Sequence, residues 1–202
     1  MGWHPETAIN AYLDTIKMRT ERKSTFLEIT EPQSSEFISA LAAGMNAQNI
    51  IEVCSCAAAS TVALANAAHH TGGHLVCILP EDETLTELQK TIKELGLEDT
   101  TEFVRGDAQH LLPIYKDIDF AVIDCNTKDY GGLFQHLNVN PTRAVVIAHK
   151  LFDRKANFAF PEGFKRKLGA QSTTLPIGKG IEITRIGNAI IHKCTSTKTK
   201  IP

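Results

Sequence analysis

No apolar run in this chain of 202 residues approaches the roughly 18–20 residues that would span a bilayer. The opening residues, Met1-Gly2-Trp3-His4-Pro5-Glu6, lack the basic and apolar regions of a secretory signal. Glu6 also stands where a myristoylation motif wants Ser or Thr. A cytoplasmic location is expected, with the nucleus as the alternative. An excess of charge of one sign is missing too: 21 basic residues meet 23 acidic ones, for a net charge of -2. That balance gives no electrostatic reason to expect a nucleic acid or an anionic membrane as partner. There is no glycine-rich fingerprint after the first apolar run, which argues against a dinucleotide oxidoreductase. No Cys/His pair at zinc-site spacing follows Cys54-x-Cys56, so no metal is expected there. Internal repeats and low-complexity linkers are absent as well.

What is present is ordinary globular material, 43% hydrophobic and 22% charged. It suffices for one domain with a sizeable core. The five cysteines are an odd number. Cys54, Cys77 and Cys125 sit in or beside apolar runs, as buried reduced thiols do, rather than in a disulfide framework.

The periodicity sets an order of elements. Residues 5–19 carry Ala8, Ile9, Tyr12, Leu13 and Ile16 at helical spacing after Pro5. Residues 34–46 repeat it with Phe37, Ile38, Leu41 and Met45. Strand and helix then alternate: a strand at 50–54, a helix at 60–69, a strand at 75–79, a helix at 83–95, and strands at 102–105, 119–124 and 144–148. Apolar strands separated by helices imply a parallel sheet covered on both faces. The end differs, because 172–175 and 181–186 flank Pro176-Ile177-Gly178-Lys179-Gly180 as a hairpin does. The expected architecture is a doubly wound, Rossmann-like α/β domain. Its seven-stranded sheet is mostly parallel and ends in an antiparallel hairpin. Residues 1–187 form this single domain, with 1–33 as a helical lead-in and 188–202 as a tail.

Ligands of open α/β sheets bind beyond the carboxyl ends of the strands. The tips here read Cys54-Ser55-Cys56-Ala57-Ala58-Ala59-Ser60, Pro80-Glu81-Asp82, Gly106-Asp107-Ala108, Asp124-Cys125-Asn126 and His149-Lys150. Asp82 reads as a helix cap. Asp107 and Asp124 read as ligand-facing acids. His69-His70 suits a helix C-terminus, and Lys165-Arg166-Lys167 with Arg154-Lys155 reads as a solvated basic face.

Three segments carry a resemblance. Phe37-Ile38-Ser39-Ala40-Leu41 with Asn46-Ala47-Gln48-Asn49-Ile50-Ile51-Glu52 resembles the first segment of caffeoyl-CoA and catechol O-methyltransferases. Asp119-Phe120-Ala121-Val122-Ile123-Asp124, followed by Lys128 and Tyr130, resembles their DFxFxDADKxxY segment. Leu175-Pro176-Ile177-Gly178-Lys179-Gly180-Ile181 resembles their LPxGDGI hairpin. The N-terminal Trp3-His4-Pro5-Glu6-Thr7-Ala8 and Ala11-Tyr12-Leu13-Asp14-Thr15 are similar to a plant family of unknown function, domain-of-unknown-function family 1442. That family is placed in the class I S-adenosylmethionine-dependent methyltransferase superfamily.

The resemblance implies S-adenosylmethionine as cofactor. Glu52 would anchor the first loop, Ser60 would help to hold the methionine part, Asp107-Ala108 would meet the adenine, and Asp124 would border the methyl donor. Three departures stand against it. The relatives have glycine at Cys54 and Ala58, where backbone must approach the cofactor. The ribose-gripping acid aligns with Leu79, leaving Glu81 as a substitute two residues on. Metal-dependent relatives bind magnesium with the Asp124 position and an Asp-Asn pair, which here reads His149-Lys150. A lysine ammonium repels a magnesium ion. No catalytic metal is therefore expected, and Lys150 either pairs with Asp124 or points to solvent.

Two functions follow. One is a metal-independent methyltransferase, with Asp124, Lys150 and His149 as its catalytic residues and a small molecule or a protein as methyl acceptor. The other is a catalytically inactive protein of the same fold, serving as a binding or regulatory module. The acceptor is not legible, and a homodimer is left open.

Overall fold

A computed structural model describes residues 3–21, 32–55, 59–80, 84–127, 130–153 and 170–187. Two helices lead in, α1 (Pro5–Glu21) and α2 (Pro32–Gly44). There follow β1 (Asn49–Val53), α3 (Ala59–Thr71), β2 (His74–Leu79), α4 (Thr84–Glu94) and β3 (Thr101–Arg105). The chain continues through α5 (Ala108–Leu111), β4 (Phe120–Asp124), α6 (Tyr130–Leu133) and β5 (Ala144–His149). It closes with the hairpin β6 (Gln171–Leu175) and β7 (Ile181–Ile186).

The sheet runs β3-β2-β1-β4-β5-β7-β6. The first five strands are mutually parallel, and β7 is antiparallel to both β5 and β6. β1 and β4 are neighbours although the chain visits β2 and β3 between them, so strand order reverses there. The two halves of the chain leave in opposite directions at that point, which opens a crevice above the carboxyl ends of the strands.

Strand alternation sends side chains to two cores. One face of the sheet packs Ile50, Leu75, Phe120, Val122 and Ile147 under Ile38, Val62, Leu64 and Leu88 from α2, α3 and α4. The other packs Ile51, Val76, Ile123 and Val146 against Leu112, Tyr130, Leu133 and Phe134. Strands β4 and β5 are buried along their whole length, as strands covered on both faces must be. Phe120 alone, fully buried, contributes on the order of 2–3 kcal/mol by leaving water.

The packing face of α1 departs from the sequence expectation. Ala8, Ala11 and Thr15 face inward, whereas Ile9, Tyr12 and Leu13 are exposed. Small residues win because they let α1 approach α2 and α3 closely enough for polar stitching. Thr15 Oγ1 lies 3.1 Å from Ser39 Oγ, and Asn66 Nδ2 donates to the Ala11 carbonyl at 3.0 Å. No described helix is long and apolar enough to cross a membrane.

Candidate functional site

A cavity of about 510 Å³ lies beyond the tips of β1, β2 and β3, bordered by Cys54, Ser55, Leu79, Pro80, Asp107, Ala108 and Asn126 among others. Its size falls within the range of roughly 300–1,000 Å³ usual for small-molecule and cofactor sites. The lining is mostly apolar, with Asp107 as the acid at its mouth.

Gly106, with φ of 140°, turns the chain out of β3 into a conformation that side-chain-bearing residues avoid. Asp107 then caps α5, accepting a hydrogen bond from the Gln109 backbone N–H at 3.0 Å. One carboxylate oxygen is spent on the cap. The other lies 3.3 Å from His110 Nδ1, and the side chain is 58% exposed, so it remains reachable from the cavity. Capping and ligand contact are therefore compatible here. Ala108 is buried beside it and also borders the cavity.

Glu52 and Ser60 are not in the lining. Glu52 is 1% exposed, behind Cys54, and Ser60 Oγ donates to its Oε1 at 2.5 Å. This bond ties β1 to the first turn of α3 and spans the loop between them. Burial pushes the Glu52 carboxyl up, against hydrogen bonds from Ser60, Thr61 and Cys77 and a weaker pull from Lys150. Its second oxygen, Oε2, meets Cys77 Sγ at 3.5 Å, and Cys77 Sγ lies 3.5 Å from Cys54 Sγ. Leu79 is 4% exposed and packs with Cys54, Cys77 and Phe103. The two aligned departures, Cys54 and Leu79, thus sit side by side in one wall of the cavity.

The tips of β4 and β5 carry a different arrangement. Asp124, 3% exposed, accepts from Lys150 Nζ at 2.9 Å, from Ser55 Oγ at 2.9 Å and from the Asn126 backbone N–H at 2.8 Å. Burial pushes its carboxyl up, but the Lys150 charge and these hydrogen bonds outweigh burial and hold it below its usual value. Lys150 adopts a φ of 61°, a left-handed conformation that costs a non-glycine residue roughly 1–2 kcal/mol. The flanking backbone fixes it there. Cys125 N–H donates to the His149 carbonyl on one side, and Leu151 and Phe152 N–H donate to Gly180 and Lys179 of the β6–β7 turn on the other. His149 ends β5 opposite Asp124. It is 5% exposed, with Nε2 3.3 Å from Ser34 Oγ of α2.

The tips of β1, β3 and β4 therefore gather Cys54, Asp107 and Ala108 around one cavity; Asp124 reaches its wall through Ser55 and Asn126, and Lys150 and His149 stand outside its lining. Ala58 and Glu81 lie outside the described residues, as do Cys56, Asp82, Lys128 and the basic segment at 154–155 and 165–167. Sequence reasoning missed Ser55 and Asn126, which join Asp124 to the cavity wall, and Cys77. Strand parity held the signal for Cys77. It pairs with Glu52 in register, and residues paired in register point to the same face.

A magnesium ion does not fit this site. The ammonium of Lys150 lies 2.9 Å from the carboxylate that would have to bind it, and His149 offers a soft nitrogen where hard oxygen is needed.

A family profile described as "Protein of unknown function (DUF1442)" matches residues 1–200. No curated protein matches the sequence. Solved structures do match in fold. A methyltransferase from Geobacter sulfurreducens superposes with a TM-score of 0.66 at 18% identity, over 89% of this chain and 90% of the other. TomG from Streptomyces achromogenes, an O-methyltransferase involved in tomaymycin synthesis and solved with SAM, gives 0.62 at 21%, over 88% and 90%. An O-methyltransferase from Bacillus cereus, solved with SAH, gives 0.61 at 18%, over 88% and 90%. At these identities the likeness establishes the fold, the seven-stranded sheet of the S-adenosylmethionine-dependent methyltransferases.

Proposed function

Since this chain belongs to the DUF1442 family of proteins of unknown function, we propose that its strand-tip cavity binds S-adenosylmethionine and that it is a methyltransferase working without magnesium. One observation carries the reading: a cofactor-sized cavity at the tips of β1 to β4, whose lining residues Ser55 and Asn126 hydrogen-bond to Asp124, itself paired with Lys150. The cofactor would supply an electrophilic methyl group whose C–S bond breaks as an oxygen or nitrogen nucleophile attacks.

The chain's own residues have distinct parts in this reading. Asp107 accepts hydrogen bonds from the adenosine through its exposed oxygen, and Ala108 leaves room for the ring. Ser55 and Asn126 line the cavity beside Asp124. Lys150, held by Asp124 and by its backbone, keeps a fixed positive charge where the methyl acceptor arrives. Such a charge stabilises a deprotonated acceptor oxygen in a site that water leaves, and it needs no reorganisation to do so. With Lys150 committed to Asp124, the base in this reading is His149, reached after rotation away from Ser34. The acceptor is a small molecule or a protein side chain.

A second reading is favoured by a specific observation. Cys54 and Leu79 form one wall, and Glu52 and Ser60 are spent on each other. A protein with this wall would keep the fold as a binding module without catalysis. Titration of S-adenosylhomocysteine into the full chain, followed by assay with labelled S-adenosylmethionine, separates the two. Binding with transfer supports the enzyme. Binding without transfer to any of a broad acceptor panel supports the module. No heat at millimolar ligand rejects both uses of the cavity.

A further inference from the structure

Beneath the cavity lies a cluster that methyl transfer does not use. Glu52 Oε2, Cys54 Sγ and Cys77 Sγ converge from two adjacent strands, all three side chains buried and their atoms within 4.8 Å of one another. We propose that these three residues form a zinc site. Two thiolates and one carboxylate oxygen would be the protein ligands, and the fourth position would fall to a water or a small ligand from the cavity that Cys54 borders.

The geometry supports this directly. Zn–S bonds of about 2.3 Å and Zn–O bonds of about 2.1 Å in a tetrahedron place sulfurs about 3.8 Å apart and sulfur and oxygen about 3.6 Å apart. Cys54 Sγ and Cys77 Sγ are 3.5 Å apart, and Cys77 Sγ and Glu52 Oε2 are 3.5 Å apart. Few side-chain movements are needed to admit the ion. Supporting contacts are in place as well. Ser60 holds Oε1 and so presents Oε2, and Thr61 Oγ1 lies 3.9 Å from Cys77 Sγ, ready to donate to a thiolate. Such outer contacts orient metal ligands.

Softness selects the ion. Two thiolates favour zinc over magnesium or calcium, which want oxygen. In the metal-free state, Cys77 hydrogen bonding and burial keep the Cys54 thiol well above its usual range; at Cys77 the Cys54 hydrogen bond pulls the thiol down, but burial and the adjacent Glu52 together push it up. Both are then protonated. On binding, the ion displaces two thiol protons to solvent, along with any proton on Glu52, and forms two Zn–S bonds and one Zn–O bond. No electron changes hands. The nearby Lys150 charge offsets the net negative charge of the filled site. The site owes nothing to the methyl-transfer reading, because its ligands hold no cofactor atom in that scheme.

The test uses the full chain, reduced, stripped with a chelator and re-equilibrated with zinc chloride, with metal counted by mass spectrometry. Cobalt(II) serves as the spectroscopic probe. The expected result is one zinc per chain and a thiolate-to-cobalt charge-transfer band. Cys54→Ala and Cys77→Ala each lower zinc affinity more than about 100-fold, and Ser60→Ala lowers it by about 10-fold as the loss of an outer contact does. Cys125→Ala leaves it unchanged. Affinity rises about 100-fold per pH unit in the neutral range, the mark of two displaced protons. Should Cys77→Ala not fold, Cys77→Ser keeps the volume and tests the same bond. Zinc that fails to bind the wild-type chain, or that binds equally well without Cys54 and Cys77, overturns the proposal.

Discussion

Strand β4 is bounded by two buried carboxylates, Asp119 just before it and Asp124 at its end, and each takes a cation from a residue that flanks the neighbouring strand β5. At the lower end, Arg143 embraces Asp119 with two bonds, Nε to Oδ1 at 3.1 Å and Nη2 to Oδ2 at 3.2 Å. Backbone N–H groups of Gln48 and Asn49 and the Asn140 amide complete the shell. At the upper end, Asp124 has a single flexible ammonium, one hydroxyl and one backbone N–H. The planar guanidinium fork gives the lower pair a fixed geometry. The upper pair is a point contact made by a residue in a left-handed conformation beside a cavity. The lower pair fixes where β4 and β5 begin. The upper one holds a charge ready for something that arrives.

The sharpest break in this comparison is Arg143→Ala, which leaves a buried carboxylate without its counter-charge. It should destabilise the fold by about 3–4 kcal/mol, read by urea denaturation, with little change in ligand affinity. Lys150→Met at the other end should cost less, about 2 kcal/mol, as the loss of one charge-assisted hydrogen bond. Lys150→Asn should recover about 1 kcal/mol of that, because asparagine tolerates the left-handed backbone. Equal losses at Arg143 and Lys150 would erase the distinction between the two ends.

The upper pair also predicts a pH signature. Asp124 in the folded protein sits below its ordinary 3.8. Its contribution is therefore fully present above that value and is lost as pH falls through and below it. In Lys150→Met, burial is left with the weaker pull of Asn126 and Ser55, and the carboxyl should rise above 3.8. The contribution then changes sign, and stability declines as pH climbs past 3.8. Glu52, already raised above 4.5, behaves this second way in the wild type: stability falls as pH rises from 4.5, and Glu52→Gln should remove that slope. Denaturation curves between pH 3 and 7 would show whether the Lys150→Met slope reverses.

The smallest effect on stability belongs to Asp107→Ala. Losing the cap of so short a helix should cost about 1 kcal/mol. The same change should weaken S-adenosylhomocysteine at least tenfold, as the loss of a charge-assisted hydrogen bond does. A full stability loss with unchanged affinity would leave Asp107 a cap and nothing more.

Much of this is legible in the sequence. Continuous apolar runs such as Phe120–Ile123 and Val145–Ala148 mark strands buried on both faces. Their alternation with helices fixes a parallel sheet, and the turn at Gly178 and Gly180 marks the closing hairpin. The sequence leaves Lys150 either on Asp124 or in solvent, and the structure decides for the Asp124 contact. Other features were not legible, for physical reasons. The inward face of α1 is set by close approach to α2 and α3, so its largest apolar residues lost to alanine and threonine. The Glu52–Ser60 bond depends on where the start of α3 lies relative to β1, which periodicity does not encode. Cys77 and Cys54 are 23 residues apart, and only the register of β1 on β2 brings their sulfurs together. Spacing rules for metal sites search along the chain and overlook ligands that meet across strands.

The claim on which the functional reading rests is tested most directly by a crystal structure of the full chain grown with saturating S-adenosylhomocysteine. The adenosine is predicted in the cavity with a hydroxyl or amine on the exposed Asp107 oxygen, the adenine against Ala108, and the sulfur toward Ser55 and Asn126. An unfilled cavity under those conditions, or a ligand lodged elsewhere on the surface, would contradict it.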